Sequence, residues 1–292
     1  MILATGPPFA SFGLANRLGR RLNRPYVLDY RDLWTGNPHA TRPAPQRTSD
    51  KERTALAGSA AALGVSPSLV QSLRQQFGMQ EASYAISNGF DPEELARAPK
   101  QVFGHFAIVY TGAFYPPKRT VGPLMAALQR ADRRNGTKRE WMFHYYGHQA
   151  DYVRKAARDF GLEHKVVIHG SVTRPGALAA MWGANIAVVI SSVYEHGSLE
   201  DKGIVTGKIF DAIGVGAPLL VIAPKGSDLD GILAVTGLGQ RFAGTEVDQI
   251  AEFLRNAMNG GAPRALKREP FSWAIIVEEL DRALRDALGA KH

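Results

Sequence analysis

Short apolar runs alternate with stretches of helical spacing along almost the whole chain. Ile2 to Thr5, Tyr26 to Asp29, Ala61 to Val65 and Tyr84 to Ser87 have the length and composition of buried strands. Apolar residues at helical spacing predict helices near Ala10 to Leu22, Ser49 to Ala57 and Pro67 to Phe77. At the third, Ser66 can cap the helix and Pro67 can take its first position, where a missing N–H costs nothing. A polar stretch from Ala96 to Gly104 interrupts the alternation. It then resumes with strands at Phe106 to Thr111, Trp141 to Tyr146, Val166 to His169, Ile186 to Ser191 and Leu219 to Ala223, with helices between them. Near-continuous apolar strands separated by helices are those of parallel sheets covered on both faces. The pattern therefore predicts an α/β protein of two Rossmann-like βα-repeat domains, residues 1–100 and 101–270. A last helix, Trp273 to Leu288, follows a proline-rich break at Ala262 to Pro270. This segment, 271–292, can cross back to the first domain. Tyr30 to Arg47 is the longest stretch without a pattern, and loops of that length are usually functional or mobile.

Composition narrows the class. A chain of 292 residues, 45% hydrophobic and 21% charged, is ordinary globular material for two domains. Its net charge of +8 favours a polyanionic partner: a phosphorylated substrate, an anionic membrane face or nucleic acid. The absence of cysteine excludes disulfides, thiolate metal sites and cysteine nucleophiles. There is no apolar run of membrane-spanning length, and Met1 to Gly6 lacks the basic flank of a signal peptide, so a soluble cytoplasmic protein is expected. The eight histidines show no zinc-like spacing, and no metal site is expected. Asp228-Leu229-Asp230 follows Ser227 at a helix start and reads as a cap.

Two segments carry chemistry. One strand ends in Tyr110-Thr111-Gly112 and is followed by Lys118 and Arg119. A glycine there lets a ligand approach the backbone, and the two cations can fold over a diphosphate at the carboxyl edge of the sheet. The same residues also suit a plain strand–helix turn. The second segment, Thr206-Gly207-Lys208, opens a short helix whose free amides form an anion site. Asp211 lies one turn on, where it can accept hydrogen bonds from ribose hydroxyls. It is no Walker loop, since the glycine spacing and the Ser/Thr after Lys208 are missing. An amphipathic helix with a glycine cap would account for these residues equally well.

Taken in order, these pieces resemble the GT-B glycosyltransferases, most closely glycosyltransferase family 4. The resemblance rests on Tyr110-Thr111-Gly112 with Lys118 and Arg119, and on the run from Thr206 to Pro218. It also rests on Ala4 to Ser11, Val27 to Trp34, Ile86 to Asp91 and Phe271-Ser272-Trp273. It implies a nucleoside-diphosphate sugar as donor co-substrate, no further cofactor, and hexosyl transfer with retention and without bound metal. The acceptor would be a glycan, a lipid-linked molecule or a small molecule, as in polysaccharide assembly. Gly112, Lys118, Arg119, Thr206, Gly207 and Lys208 would hold the diphosphate. Asp211 would bind the ribose, and His169, Gly170, Ser171 and Val172 would surround the base. Asp32, His196 and Glu200 are the candidates for acceptor orientation and proton transfer.

The chain departs from the family in two places. Gly203 stands where the family places a second acid, and the first domain is short or truncated, lacking the first glycine-rich loop. Arg17, Arg20, Arg21 and Arg24 mark a face suited to peripheral contact with an anionic membrane. Basic runs without interleaved aromatics argue against nucleic acid. A non-catalytic nucleotide-sugar-binding fragment or partner protein, a sugar-nucleotide epimerase of the same fold, and a basic binding module are the other readings.

Overall fold

The computed structural model describes residues 1–40, 42–79, 82–133, 139–261 and 267–289. Residues 262–266 of the proline-rich break, and His292, lie outside the described residues. The chain divides into two units. Unit 1 comprises Met1–Asn88, Ser198–Val205 and Ala274–His292, and unit 2 comprises Gly89–Gly197 and Thr206–Trp273.

In unit 1, β1 (Ile2–Gly6), β2 (Tyr26–Tyr30), β3 (Ala61–Gly64) and β4 (Ser83–Ala85) form a parallel sheet in chain order. Helices α1 (Ala10–Leu22), α2 (Gln46–Ala57) and α3 (Pro67–Phe77) connect them. Successive strand residues face opposite sides. Tyr26, Leu28 and Tyr30 pack with Phe12 of α1, Leu56 of α2 and Leu69 and Leu73 of α3. Val27, Ala61 and Leu63 point the other way and pack with Ile276 and Ala283 of the last helix, α12 (Trp273–Ala287). Ser66 caps α3 by accepting from the Leu69 N–H, with Pro67 in the first turn. The long loop after β2 is anchored at Thr35, whose N–H and hydroxyl both donate to the buried Glu52 carboxylate.

Residues 89–100 belong to unit 2, not with the strands before them, and packing explains this. Asp91 caps the short helix α4 (Pro92–Arg97) by accepting from the Glu93 and Glu94 N–H groups. Leu95 and Phe90 fill the space that a side chain at Gly214 would need. A second short helix, α8 (Leu199–Lys202), belongs to unit 1, where the Ser66 hydroxyl donates to the Gly203 carbonyl.

The rest of unit 2 runs β5 (Phe106–Thr111), α5 (Gly122–Arg133), β6 (Trp141–Tyr146), α6 (Ala150–Asp159), β7 (Val166–Gly170), α7 (Arg174–Gly183) and β8 (Ile186–Ile190). After the chain's passage through unit 1 come α9 (Gly207–Val215), β9 (Leu219–Ile222), α10 (Asp228–Thr236), β10 (Gly239–Phe242) and α11 (Val247–Asn256). The six strands are parallel, in the order β10-β9-β8-β5-β6-β7. The chain winds outward from β5 to β7, then returns to the middle at β8 and winds the other way. The loops after β5 and β8 therefore diverge, leaving a crevice at the carboxyl ends of the strands. The core beneath contains Ile108, Tyr110, Phe143, Tyr145, Val188 and Leu220, covered by Leu124 and Leu128 of α5 and Leu254 of α11.

The packing of α12 is testable. Ile276→Ala removes a side chain buried against β2 and β3, and should cost about 2–5 kcal/mol in urea unfolding. A cost near zero would mean that α12 merely rests on the surface.

Candidate functional site

The crevice is built from glycines. Gly112 follows β5 at φ 120°, a conformation that side chains resist, and its N–H donates to the Tyr146 carbonyl at 2.7 Å. Gly147 follows β6, and its N–H donates to the Gly170 carbonyl at 2.9 Å. A Cβ on Gly147 would overlap the Gly112 carbonyl and the Tyr145 hydroxyl. Strands β5, β6 and β7 therefore end in one close row. The Lys208 side chain, from the first turn of α9, lies over Gly112 in the place of a Cβ.

A cavity of about 400 Å³ opens beside this row. Gly112, Tyr146, Gly147 and His148 line it from the strand ends, Ser171 and Val172 from the loop after β7, Arg174 from the start of α7, and Lys208 and Asp211 from α9. The Arg174 guanidinium donates to both oxygens of Glu94, at 2.6 and 2.8 Å, and to both oxygens of Asp211, at 3.0 and 3.3 Å. These two pairs hold the Arg174 proton well above its ordinary range. Burial holds the Lys208 ammonium below its usual value; the Arg119 charge adds to the effect and Asp211 opposes it. An anion beside Lys208 would favour its charged form and so oppose that depression. Two buried hydroxyls near this end of the sheet, Ser191 Oγ and Thr206 Oγ1, have no protein partner.

The expected site residues distribute unevenly around this cavity. Gly112, Lys208, Asp211, Ser171 and Val172 line it together. Lys118 and Arg119 do not. The Lys118 carbonyl accepts from the Val193 N–H, and Arg119 is buried with its guanidinium over the Tyr115 ring and its Nε 3.4 Å from the Ser191 carbonyl. The Arg119 charge bears on the site through Lys208, whose ammonium it disfavours. Thr206 is the N-cap of α9 with no side-chain cap bond, and Gly207 is exposed beside it. Arg174 and His148 line the cavity although the motifs do not single them out. The basic residue straight after Ser171-Val172-Thr173 was the available signal for Arg174.

His169 supports the cavity from outside. Its ring stacks on Tyr146, with centroids 4.0 Å apart, and its Nε2 lies 2.9 Å from His144 Nδ1. His144 Nε2 in turn lies 2.7 Å from His105 Nε2, which completes a row of three imidazoles. Gly170, at φ 73°, provides the carbonyl for Gly147. The acid–base candidates sit apart from the cavity lining. His196, in unit 2, is 83% exposed and 3.9 Å from Glu195, which is itself paired with Lys225. Glu200 belongs to unit 1, where it accepts from the Ser72 hydroxyl at 2.9 Å. Asp32 lies exposed in the loop after β2. Among the described residues, no cluster of His, Cys, Asp or Glu has metal-binding geometry. No described helix is long and apolar enough to cross a membrane.

No protein-family model matches the chain, and no curated sequence does. Solved structures do match its fold. The lipopolysaccharide outer core galactosyltransferase WaaB superposes with a TM-score of 0.66 at 14% identity, covering 97% of this chain and 75% of that one. Anabaena HepE, solved with UDP, superposes with a TM-score of 0.67 at 15% identity, covering 98% and 79%. Sucrose-phosphate synthase from Thermosynechococcus elongatus gives a TM-score of 0.63 at 17% identity, covering 99% and 74%. The chain has the fold of the GT-B glycosyltransferases, with two parallel-sheet α/β domains.

The imidazole row gives the protein an acid-sensitive point. Burial, reinforced by His169 and His105, pushes His144 down to about 4 from 6.5. Its folded value is the lower one, so the unfolded chain takes up the proton first as pH falls. The stability this histidine contributes is intact above about pH 6.5 and is lost towards pH 4, a change of at most about 3 kcal/mol. Urea midpoints at pH 7 and pH 4.5 should show the drop, and His144→Phe should flatten it.

Proposed function

We propose that this chain is a glycosyltransferase that takes its sugar from a nucleoside-diphosphate donor bound in the unit 2 cavity. The observation that carries this reading is Lys208 lying over Gly112 at the mouth of β5, one turn from the Arg174-bound Asp211. In this reading a diphosphate against Gly112 meets no Cβ and is faced by Lys208 and by the amides opening α9. Asp211 receives the ribose, and the exposed loop of Ser171 and Val172 borders the base. HepE, also solved with UDP-glucose and with UDP and glucose, supports this use of the fold.

Charge stabilisation drives the reaction in this reading. Cleavage of the donor leaves negative charge on the diphosphate, and in this reading Lys208 and the α9 amides neutralise it without bound metal. Retention of the sugar's configuration and hexosyl transfer go with the family 4 resemblance. His196 is the candidate proton carrier in unit 2; Asp32 and Glu200 are the candidates in unit 1. The acceptor is a glycan or a lipid-linked molecule, and the setting is cytoplasmic, at the inner face of a membrane. Exposed Leu14, Leu18 and Leu22 beside Arg17 and Arg21 on α1 support that contact. One observation favours a second reading, donor binding without transfer: Gly203 stands where the family places an acid.

A calorimetric panel of nucleoside diphosphates tests the site. At least one should bind, and Lys208→Ala should weaken it by about 1.5–3 kcal/mol, the range for a charge-assisted contact. If Lys208→Ala binds as the parent does, the phosphates lie elsewhere. UDP or GDP release from a sugar nucleotide on mixing with acceptor glycans separates transfer from binding alone.

A further inference from the structure

We infer that Arg174, anchored by Glu94, is a positioning residue that fixes the Asp211 carboxylate for recognition of the ribose 2′-hydroxyl. This inference rests on the donor reading of the cavity and adds a residue that the sequence motifs do not mark. The argument starts from the guanidinium. Nε and Nη2 donate to the two oxygens of Glu94, and Nη1 and Nη2 donate to the two oxygens of Asp211. Four of its five N–H groups are therefore committed to two carboxylates, each held by a two-pronged contact. A fork of this kind sets the plane of the carboxylate, which a single point charge would not.

The geometry leaves Asp211 capacity to do more. Its side chain is 13% exposed and lines the cavity, and each of its oxygens has accepted one bond from Arg174. An ionised carboxylate offers about four acceptor sites, so one on each oxygen is left. Two vicinal hydroxyls, as ribose presents, match two such sites in a fixed plane. A 2′-deoxyribose supplies one hydroxyl and leaves the other site unmatched. Asp211 is held at its stem by α9 and at its tip by a residue of α7, which is in turn held by a residue of α4. Arg174 also places positive charge beside Asp211, so the carboxylate does not repel the incoming diphosphate with its full charge.

Calorimetry with UDP against 2′-deoxy-UDP, and GDP against 2′-deoxy-GDP, tests the inference on the full chain. The parent should prefer the ribonucleotide by about tenfold or more. Arg174→Ala should bring that ratio to within about twofold of one, and Arg174→Lys, which keeps the charge without the fork, should restore it only in part. Glu94→Gln, a change at a partly exposed helix start, should lower the ratio while leaving the fold intact, as thermal melting would show. Lys208→Ala should weaken both nucleotides and leave the ratio unchanged. If Arg174→Ala keeps the parent's ratio, the positioning role is wrong although the donor site stands. If the parent binds none of the four nucleotides, the donor reading fails and this inference fails with it.

Discussion

The constraint on which this molecule turns is the reversal of winding in the sheet of unit 2. A parallel sheet buries both faces under helices and hides its backbone, so a ligand can reach it only along an edge of strand ends. Where β5 and β8 lie side by side, the following loops leave in opposite directions, and that edge is open. Everything else at the site follows from keeping the opening shallow and its walls close. Gly112, Gly147 and Gly170 let β5, β6 and β7 end side by side, with a register shift between β6 and β7 after Tyr145, because a side chain at Gly147 would overlap the Gly112 carbonyl. Lys208 then has room to cross the gap.

Charge is arranged in two layers around this opening. Lys208 lines the cavity, while Arg119 is buried and packed on Tyr115. Burial first, and the Arg119 charge second, lower the lysine from its usual value. On the other side, Arg174 is over-supplied with acid, since it serves both Glu94 and Asp211. The cavity is therefore short of negative charge at one end and holds a tethered carboxylate at the other. A molecule with phosphates at one end and hydroxyls at the other suits that polarity.

The sequence makes much of this legible where the signal is local. Helices α1 and α3 fall at Ala10–Leu22 and Pro67–Phe77 as their apolar spacing and the Ser66-Pro67 start predict. The strand before Gly112 and the helix after Thr206 carry their own punctuation, and both lie at the cavity. Helix α4 escapes notice because six residues give too little periodicity, although Asp91-Pro92 is a sound start signal. Lys118 and Arg119 look equivalent as neighbours in sequence, but the backbone turns between them, and Arg119 goes inward. Arg174 is the hardest to foresee, since its partners lie 80 residues before it and 37 after it. No spacing rule connects three such positions; only the folded sheet brings them together.

Unit 1 has a quite different asymmetry. Its helix α12 covers the face formed by Val27, Ala61 and Leu63, while Leu3 on β1, at the end of the sheet, is 45% exposed. Among the described residues β1 has β2 on one flank and no strand on the other. The amides and carbonyls on that outer flank belong to the residues that alternate with those bonding β2, and they form a template for a further strand. An extended segment pairing along that flank of β1 would lengthen the sheet of unit 1 by one strand.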